Sequence, residues 1–216
     1  MARSKKSEGA RGVAALSGLK IDFVRGSLGY RFRQGIDRNH GLAKAAGISG
    51  KTVPTVIDAT AGLGRDAFLL ASLGAQVTLI ERSTKVHALL LDALRQAQAE
   101  DPEVAAVVAR MNLIQGDSRE LLREMHADVV LVDPMHPPRR SRALVKAEMR
   151  ALRELVGTDT DASELMQAAF GAALSRVVLK WPRYAVPLDG LPKPSHQIFG
   201  KTVRYDVFMM PLHASP

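Results

Sequence analysis

Three short apolar runs along this chain each close on an acid. Val56-Ile57 ends at Asp58, Val77-Thr78-Leu79-Ile80 at Glu81, and Val129-Val130-Leu131-Val132 at Asp133. Short, β-branched runs bounded by turn residues predict buried strands. With two further runs they place strands at 55–58, 76–81, 112–115, 128–133 and 176–180. Helix-favouring segments lie between and around them, at 66–73, 84–99, 103–110, 118–125, 142–156 and 161–173. Strands alternating with helices make a parallel sheet covered on both faces. After Lys180 the rhythm changes. The strand-like runs 195–199 and 203–210 are separated only by Gly200-Lys201-Thr202, which predicts an antiparallel hairpin closing the sheet. The expected fold class is α/β: a Rossmann-like, doubly wound, mostly parallel sheet ending in an antiparallel hairpin.

The N-terminal region reads differently. Residues 20–24 and 28–33 alternate around the turn Arg25-Gly26-Ser27, which predicts a small β-hairpin. One face of it would carry Phe23, Tyr30 and Phe32, the other Arg31 and Arg33. A short helix at 40–46 would end at Gly47. The expected organisation is a basic tail over 1–19, a hairpin-and-helix subdomain over 20–47, and the α/β domain over 48–216.

Charge sharpens this division. Residues 1–44 contain ten Lys or Arg and three acids, a net +7 out of a formal +8 for all 216 residues. A basic arm on a near-neutral body points to a polyanion, most simply nucleic acid. Arginines threaded through aromatics can neutralise phosphates and stack bases, though the same aromatics could pack the hairpin onto the domain. With no cysteine there are no disulfides and no thiolate metal site, and six histidines without ligand spacing predict no metal. The absence of a long apolar stretch and of a signal-peptide core predicts a cytoplasmic protein with no membrane span.

The chemistry starts at Asp58-Ala-Thr-Ala-Gly62-Leu-Gly64-Arg65-Asp66. A strand passes through two glycines into a helix, so the helix aims its N–H groups at the turn. Gly62 and Gly64 can take positive φ and expose backbone to a ligand. Glu81, closing the next strand, is placed to accept both hydroxyls of a ribose. An adenosine-bearing cofactor fits both features, either a nicotinamide dinucleotide or S-adenosylmethionine.

Asp133-Pro134-Met135-His136-Pro137 follows its strand into the same crevice. Such a loop resembles the Asp/Asn-Pro-Pro-aromatic loop of methyltransferases acting on exocyclic amines. A carboxylate and a backbone carbonyl accepting two N–H bonds would favour a pyramidal nitrogen whose lone pair faces the methyl donor. Asp117 and Ser118 could meet an adenine edge, cap the following helix, or do both. Arg139, Arg140, Arg142 and Lys146 begin a basic stripe downstream of Asp133, suited to a phosphate backbone. Lys180-Trp181-Pro182 would shape the rim.

Asp58 through Asp66, Glu81-Arg82, the Asp133 loop and Ala143-Leu-Val-Lys-Ala-Glu-Met-Arg150 together resemble the ribosomal RNA small subunit methyltransferase J family. The likeness runs from about residue 20 to about residue 210. It implies a class I methyltransferase fold, S-adenosylmethionine as cofactor, and methylation of a guanine N2 in 16S rRNA; the expected protein is a monomer acting on 16S rRNA or the 30S particle. It places cofactor contacts on Arg65, Asp66, Glu81, Arg82, Asp117, Ser118 and Asp133. His136 stands where the family usually has Phe or Tyr, a weaker base platform. Three rivals are an NAD-dependent small-molecule enzyme, another nucleic-acid amino-methyltransferase and a non-catalytic RNA-binding assembly factor.

Overall fold

The computed structural model describes residues 21–50, 52–134 and 161–211. In chain order the elements are α1 (Ser27–Arg33), α2 (Gly41–Ala45), β1 (Val56–Asp58), α3 (Arg65–Ser72), β2 (Val77–Glu81), α4 (Thr84–Glu100), α5 (Pro102–Val108), β3 (Met111–Gln115), α6 (Ser118–Leu121), β4 (Ala127–Val132), α7 (Ala162–Ala172), β5 (Ala173–Pro182), β6 (His196–Phe199) and β7 (Val203–Met209).

These strands form one seven-stranded sheet in the order β3-β2-β1-β4-β5-β7-β6. The first five run parallel, β7 runs antiparallel to β5, and β6 runs antiparallel to β7. Side chains alternate between two cores, as strand geometry requires. Val56, Leu79, Val129 and Leu131 face one layer with α3, α4 and α5. Ile57, Ile80, Val130 and Val132 face the other, with Leu165 and Met166 of α7. Burial on both sides explains why these strands read as unbroken apolar runs.

Helix ends follow their sequence signals. Ser83 caps α4 by accepting from the Val86 N–H. Asp101 caps α5 ahead of Pro102 at its first position. The buried stripe of α4, Val86, Leu90, Ala93, Leu94 and Ala97, has the spacing of a helix lying along the sheet. Helix α6 is shorter than expected, and the segment after it runs through turns to β4. Strand β5 begins earlier, directly from the end of α7. The helix expected at 142–156 lies outside the described residues.

The N-terminal hairpin is a correction, because 27–33 is helical. Leu28, Tyr30 and Phe32 fit a period of two, while Leu28 and Phe32 alone fit i,i+4. Tyr30 decides between them, being 64% exposed while Leu28 is buried. Asp22 turns the chain ahead of the helix by accepting from the Val24 and Arg25 N–H groups. Gly29 lets the helix lie against that turn, since a Cβ there would sit 2.0 Å from the Val24 carbonyl oxygen. Phe23 stacks on Phe68 at 5.0 Å, and Phe32 meets the same ring edge-on at 5.9 Å. These rings are therefore core rather than base platforms. Arg33 donates to the Val24 carbonyl and lies 3.6 Å from Asp101, so it anchors this segment to α5. Arg31 is exposed.

Among the described residues, no helix is long and apolar enough to cross a membrane.

Candidate active site

Parallel register brings the three strand-ending acids to one edge of the sheet. Asp58 pairs beside Leu79 and Leu131, so β2 carries Glu81 two residues beyond it and β4 delivers Asp133 two residues beyond Leu131. Val132 pairs with Leu179, which sets Lys180 of β5 beside Asp133. Together they line a cleft of about 350 Å³ with Ala61, Gly62 and Pro134.

The glycine turn divides its labour. Gly62 (φ +50°) lines the cleft and donates its N–H to Glu81 Oε2 at 2.9 Å. The Ser83 N–H donates to Glu81 Oε1 at 2.7 Å. Glu81 is thereby oriented by backbone on both oxygens. Gly64 starts α3 in the left-handed region (φ +68°) and lies outside the cleft lining. A Cβ on Gly64 would come 2.8 Å from Leu90 Cδ1 and 3.3 Å from Phe23 Cζ. The missing side chain lets this turn pack against α4 and Phe23.

Asp58 is buried, and burial with the nearby Asp66 charge pushes its carboxyl up to about 7. Its Oδ1 accepts the Thr60 N–H at 3.1 Å. The Thr60 hydroxyl in turn accepts the Asp133 N–H at 2.7 Å, fixing the backbone at the start of the Asp133 loop. Asp58 thus supports the floor of the site through Thr60.

Lys180 is the largest feature that sequence reasoning left without a partner. Its ammonium lies 2.6 Å from Asp66 Oδ2 and 2.8 Å from Asp133 Oδ2. Burial opposes its charge, but the Asp133 and Asp66 carboxylates outweigh burial and hold it above the ordinary lysine range. One lysine therefore joins the first turn of α3 to the loop after β4. The only sequence signal was its place at a strand end, because its partners lie 114 and 47 residues away.

The opposite wall is an ion network. Arg119 pairs with Asp117 at 2.7 Å, Glu164 at 2.8 Å and Asp161 at 3.2 Å, and Arg82 reaches the same Asp161 oxygen at 3.0 Å. The Arg119 hydrogen bond holds the Asp117 carboxyl below its usual range. Asp117 also caps α6 through the Arg119 N–H. Ser118 is buried and donates to the Ala59 carbonyl at 2.7 Å, so its proton serves the fold. Arg65 and Asp66 line the cleft beside these groups. Arg119 and Asp161 were not singled out from sequence; their charges looked like ordinary helix termini. His136, Arg139, Arg140, Arg142 and Lys146 lie outside the described residues.

A family model described as a SAM-dependent methyltransferase (SAM_MT) matches residues 7–210. Proteins named ribosomal RNA small subunit methyltransferase J are similar over most of the chain. The one from Rhodopseudomonas palustris (strain HaA2) is 63% identical, over 94% of this chain and 93% of its own. The one from Brucella anthropi is 62% identical, over 89% and 94%. The one from Pseudomonas fluorescens is 49% identical, over 88% and 74%. Among solved structures, a SAM-dependent methyltransferase from Neisseria gonorrhoeae superimposes with a TM-score of 0.69 at 35% identity, covering 92% of this chain and 76% of that one. With its acids converging on one cleft of a doubly wound sheet, this chain belongs to the ribosomal RNA small subunit methyltransferase J family of SAM-dependent methyltransferases.

Proposed function

We propose that this protein transfers the methyl group of S-adenosylmethionine to the exocyclic N2 of a guanosine in 16S rRNA, acting as a cytoplasmic monomer on the RNA or the 30S particle. The observation that carries the reading is the convergence of Glu81 and Asp133 on one cleft. The name borne by relatives up to 63% identical supplies the substrate class.

The cleft suits the cofactor. Asp58, Asp66, Glu81, Asp117 and Asp133 line it, and a sulfonium and an ammonium are welcome among carboxylates. Glu81 would receive the ribose hydroxyls on oxygens already oriented by Gly62 and Ser83. Arg65, Asp66, Arg82, Asp117 and Ser118 ring the same space. When bound, S-adenosylmethionine supplies a methyl group already activated on sulfur, so an amine can displace it without a strong base.

The protein's part is then positioning. Asp133 and the Pro134 carbonyl accept the two N–H bonds of the guanine amino group. Lone-pair donation into the ring weakens as that nitrogen becomes pyramidal and faces the methyl. Lys180 fixes Oδ2 of Asp133, and the Thr60 hydroxyl fixes its backbone, so the acceptor is held before the base arrives. As the nitrogen gains its methyl group it acquires positive charge, and the surplus proton leaves past Asp133 to water. Arg139, Arg140, Arg142 and Lys146 follow this loop in sequence and would meet the RNA backbone, with Arg31 on the N-terminal side. Arg33 is engaged elsewhere.

The test is methyl transfer to 30S particles from cells lacking this protein, with nucleoside mass spectrometry of their 16S rRNA. One new N2-methylguanosine is expected. Label in another nucleoside, or none, rejects the reading.

A further inference from the structure

The sheet's reversal places two exposed aromatic rings beside the cleft. Strand β7 runs antiparallel to β5, and β6 antiparallel to β7. The C-terminal end of β6, the turn after it and the loop after β5 therefore share the edge where the parallel strands end, which is the mouth of the site. Trp181, Pro182 and Val203 line the cleft there. Just beyond them stand Tyr184, 75% exposed, and Phe199, 54% exposed. Trp181 next door turns inward, donating to the Val186 carbonyl, whereas these two rings face solvent together.

The rings are organised. The Arg183 guanidinium lies 5.3 Å from the Tyr184 centroid and 5.6 Å from that of Phe199. Arg183 is itself pinned, donating Nη1 to the Gly200 carbonyl and its backbone N–H to the Thr202 carbonyl. Exposed Lys201 sits in the same turn. Two rings held about one guanidinium, with a lysine alongside and open faces toward solvent, have the composition of a stacking platform for unpaired nucleotides.

We infer that Tyr184, Arg183 and Phe199 form a platform on which bases flanking the target guanosine stack while that guanosine enters the cleft. The inference rests on the proposed RNA substrate and adds where the neighbouring nucleotides go. It explains why the platform borders the Lys180–Pro182 side of the site: a strand threaded past Asp133 would continue over β5 and the β6–β7 turn.

The experiment compares wild type with Tyr184→Ala, Phe199→Ala and the double variant, with Tyr184→Phe and Phe199→Trp as conservative controls. Both rings are exposed, so thermal midpoints should stay within a few degrees. The first arm is fluorescence anisotropy with a labelled single-stranded oligoribonucleotide. Each alanine should weaken binding about tenfold, and the conservative variants should bind like wild type. The second arm is methyl transfer to 30S particles, where KM should rise similarly while kcat stays within about twofold. Affinity for S-adenosylhomocysteine should be unchanged. Oligonucleotide binding by the double variant equal to wild type overturns the inference, as does a wild type that binds none. A raised KM for particles with unchanged oligonucleotide binding also overturns it, assigning the rings to a ribosomal protein. Failure of wild type to methylate particles, with the oligonucleotide arm as expected, rejects the proposed reaction and leaves the platform standing.

Discussion

Replacing Lys180 by Met removes one positive charge from between two carboxylates at nearly constant volume. Both Asp66 Oδ2 and Asp133 Oδ2 lie within hydrogen-bonding distance of the same nitrogen, at 2.6 and 2.8 Å. The two oxygens are therefore less than about 5.5 Å apart. At an effective dielectric near 20, like charges at that distance repel by about 3 kcal/mol. Removing one member of a buried ion pair typically costs about 3–5 kcal/mol, and the partial exposure of Asp133 argues for the lower end. Both routes give about 3 kcal/mol of lost stability at pH 8. The sign of the pH dependence follows from the same geometry. Without the lysine, repulsion raises the carboxylate pKa values in the folded state above their unfolded values. The variant then binds more protons folded than unfolded and regains stability as pH falls. Urea unfolding of both proteins at pH 8 and pH 5 measures this. The gap should be about 3 kcal/mol at pH 8 and clearly smaller at pH 5. A gap under about 1 kcal/mol at pH 8, or one that widens on acidification, would show that Lys180 does not hold the two carboxylates together.

Three other perturbations separate the remaining roles. The Asp58 carboxyl is pushed up to about 7 from an ordinary 3.8, so folding disfavours its ionised form and its contribution to stability falls as pH rises through that window. Asp58→Asn should therefore gain about 3 kcal/mol relative to wild type between pH 5 and pH 8 in urea unfolding, and parallel pH profiles would contradict the assignment. Gly64→Ala meets both a positive φ and Leu90 Cδ1 at 2.8 Å; it should cost about 1–3 kcal/mol, while S-adenosylhomocysteine affinity measured at a temperature where the variant is folded should hold within a few-fold. Glu81→Ala should do the reverse in emphasis, weakening S-adenosylhomocysteine at least tenfold by calorimetry, through loss of an acceptor that Gly62 and Ser83 orient.

What could be read beforehand was whatever local pattern determines. The runs before Asp58, Glu81 and Asp133 are buried on both faces, so their hydrophobicity is continuous and their ends are marked by acids. Helix α4 showed its stripe, and α5 its Asp-Pro start. Position 30 misled because Leu28, Tyr30 and Phe32 satisfy two periods, and only the tertiary partner Phe68 chooses between them. At Gly64 the sequence leaves a choice open, because a glycine at such a turn looks the same whether its empty side faces a ligand or, as here, Leu90. Lys180 was hidden by distance along the chain. The β4–β5 register makes it neighbour to Asp133, and the first turn of α3 brings Asp66 to the same end of the sheet. The exposed rings are hidden likewise: Phe199 lies on an edge strand, where period alone does not reveal which side faces water, and Tyr184 lies in the turn after β5, which has no period to read.

On this reading the chief role of Asp133 is to position the accepting nitrogen, and Lys180 keeps Asp66 as a partner when Asp133 is removed. Methyl transfer by Asp133→Ala, measured beside its affinity for S-adenosylhomocysteine, separates positioning from binding. Transfer should fall by about a hundred- to a thousandfold, as when one preorganised hydrogen-bonding group is removed, with cofactor-product affinity within a few-fold of wild type. Transfer within tenfold of wild type would contradict the claim.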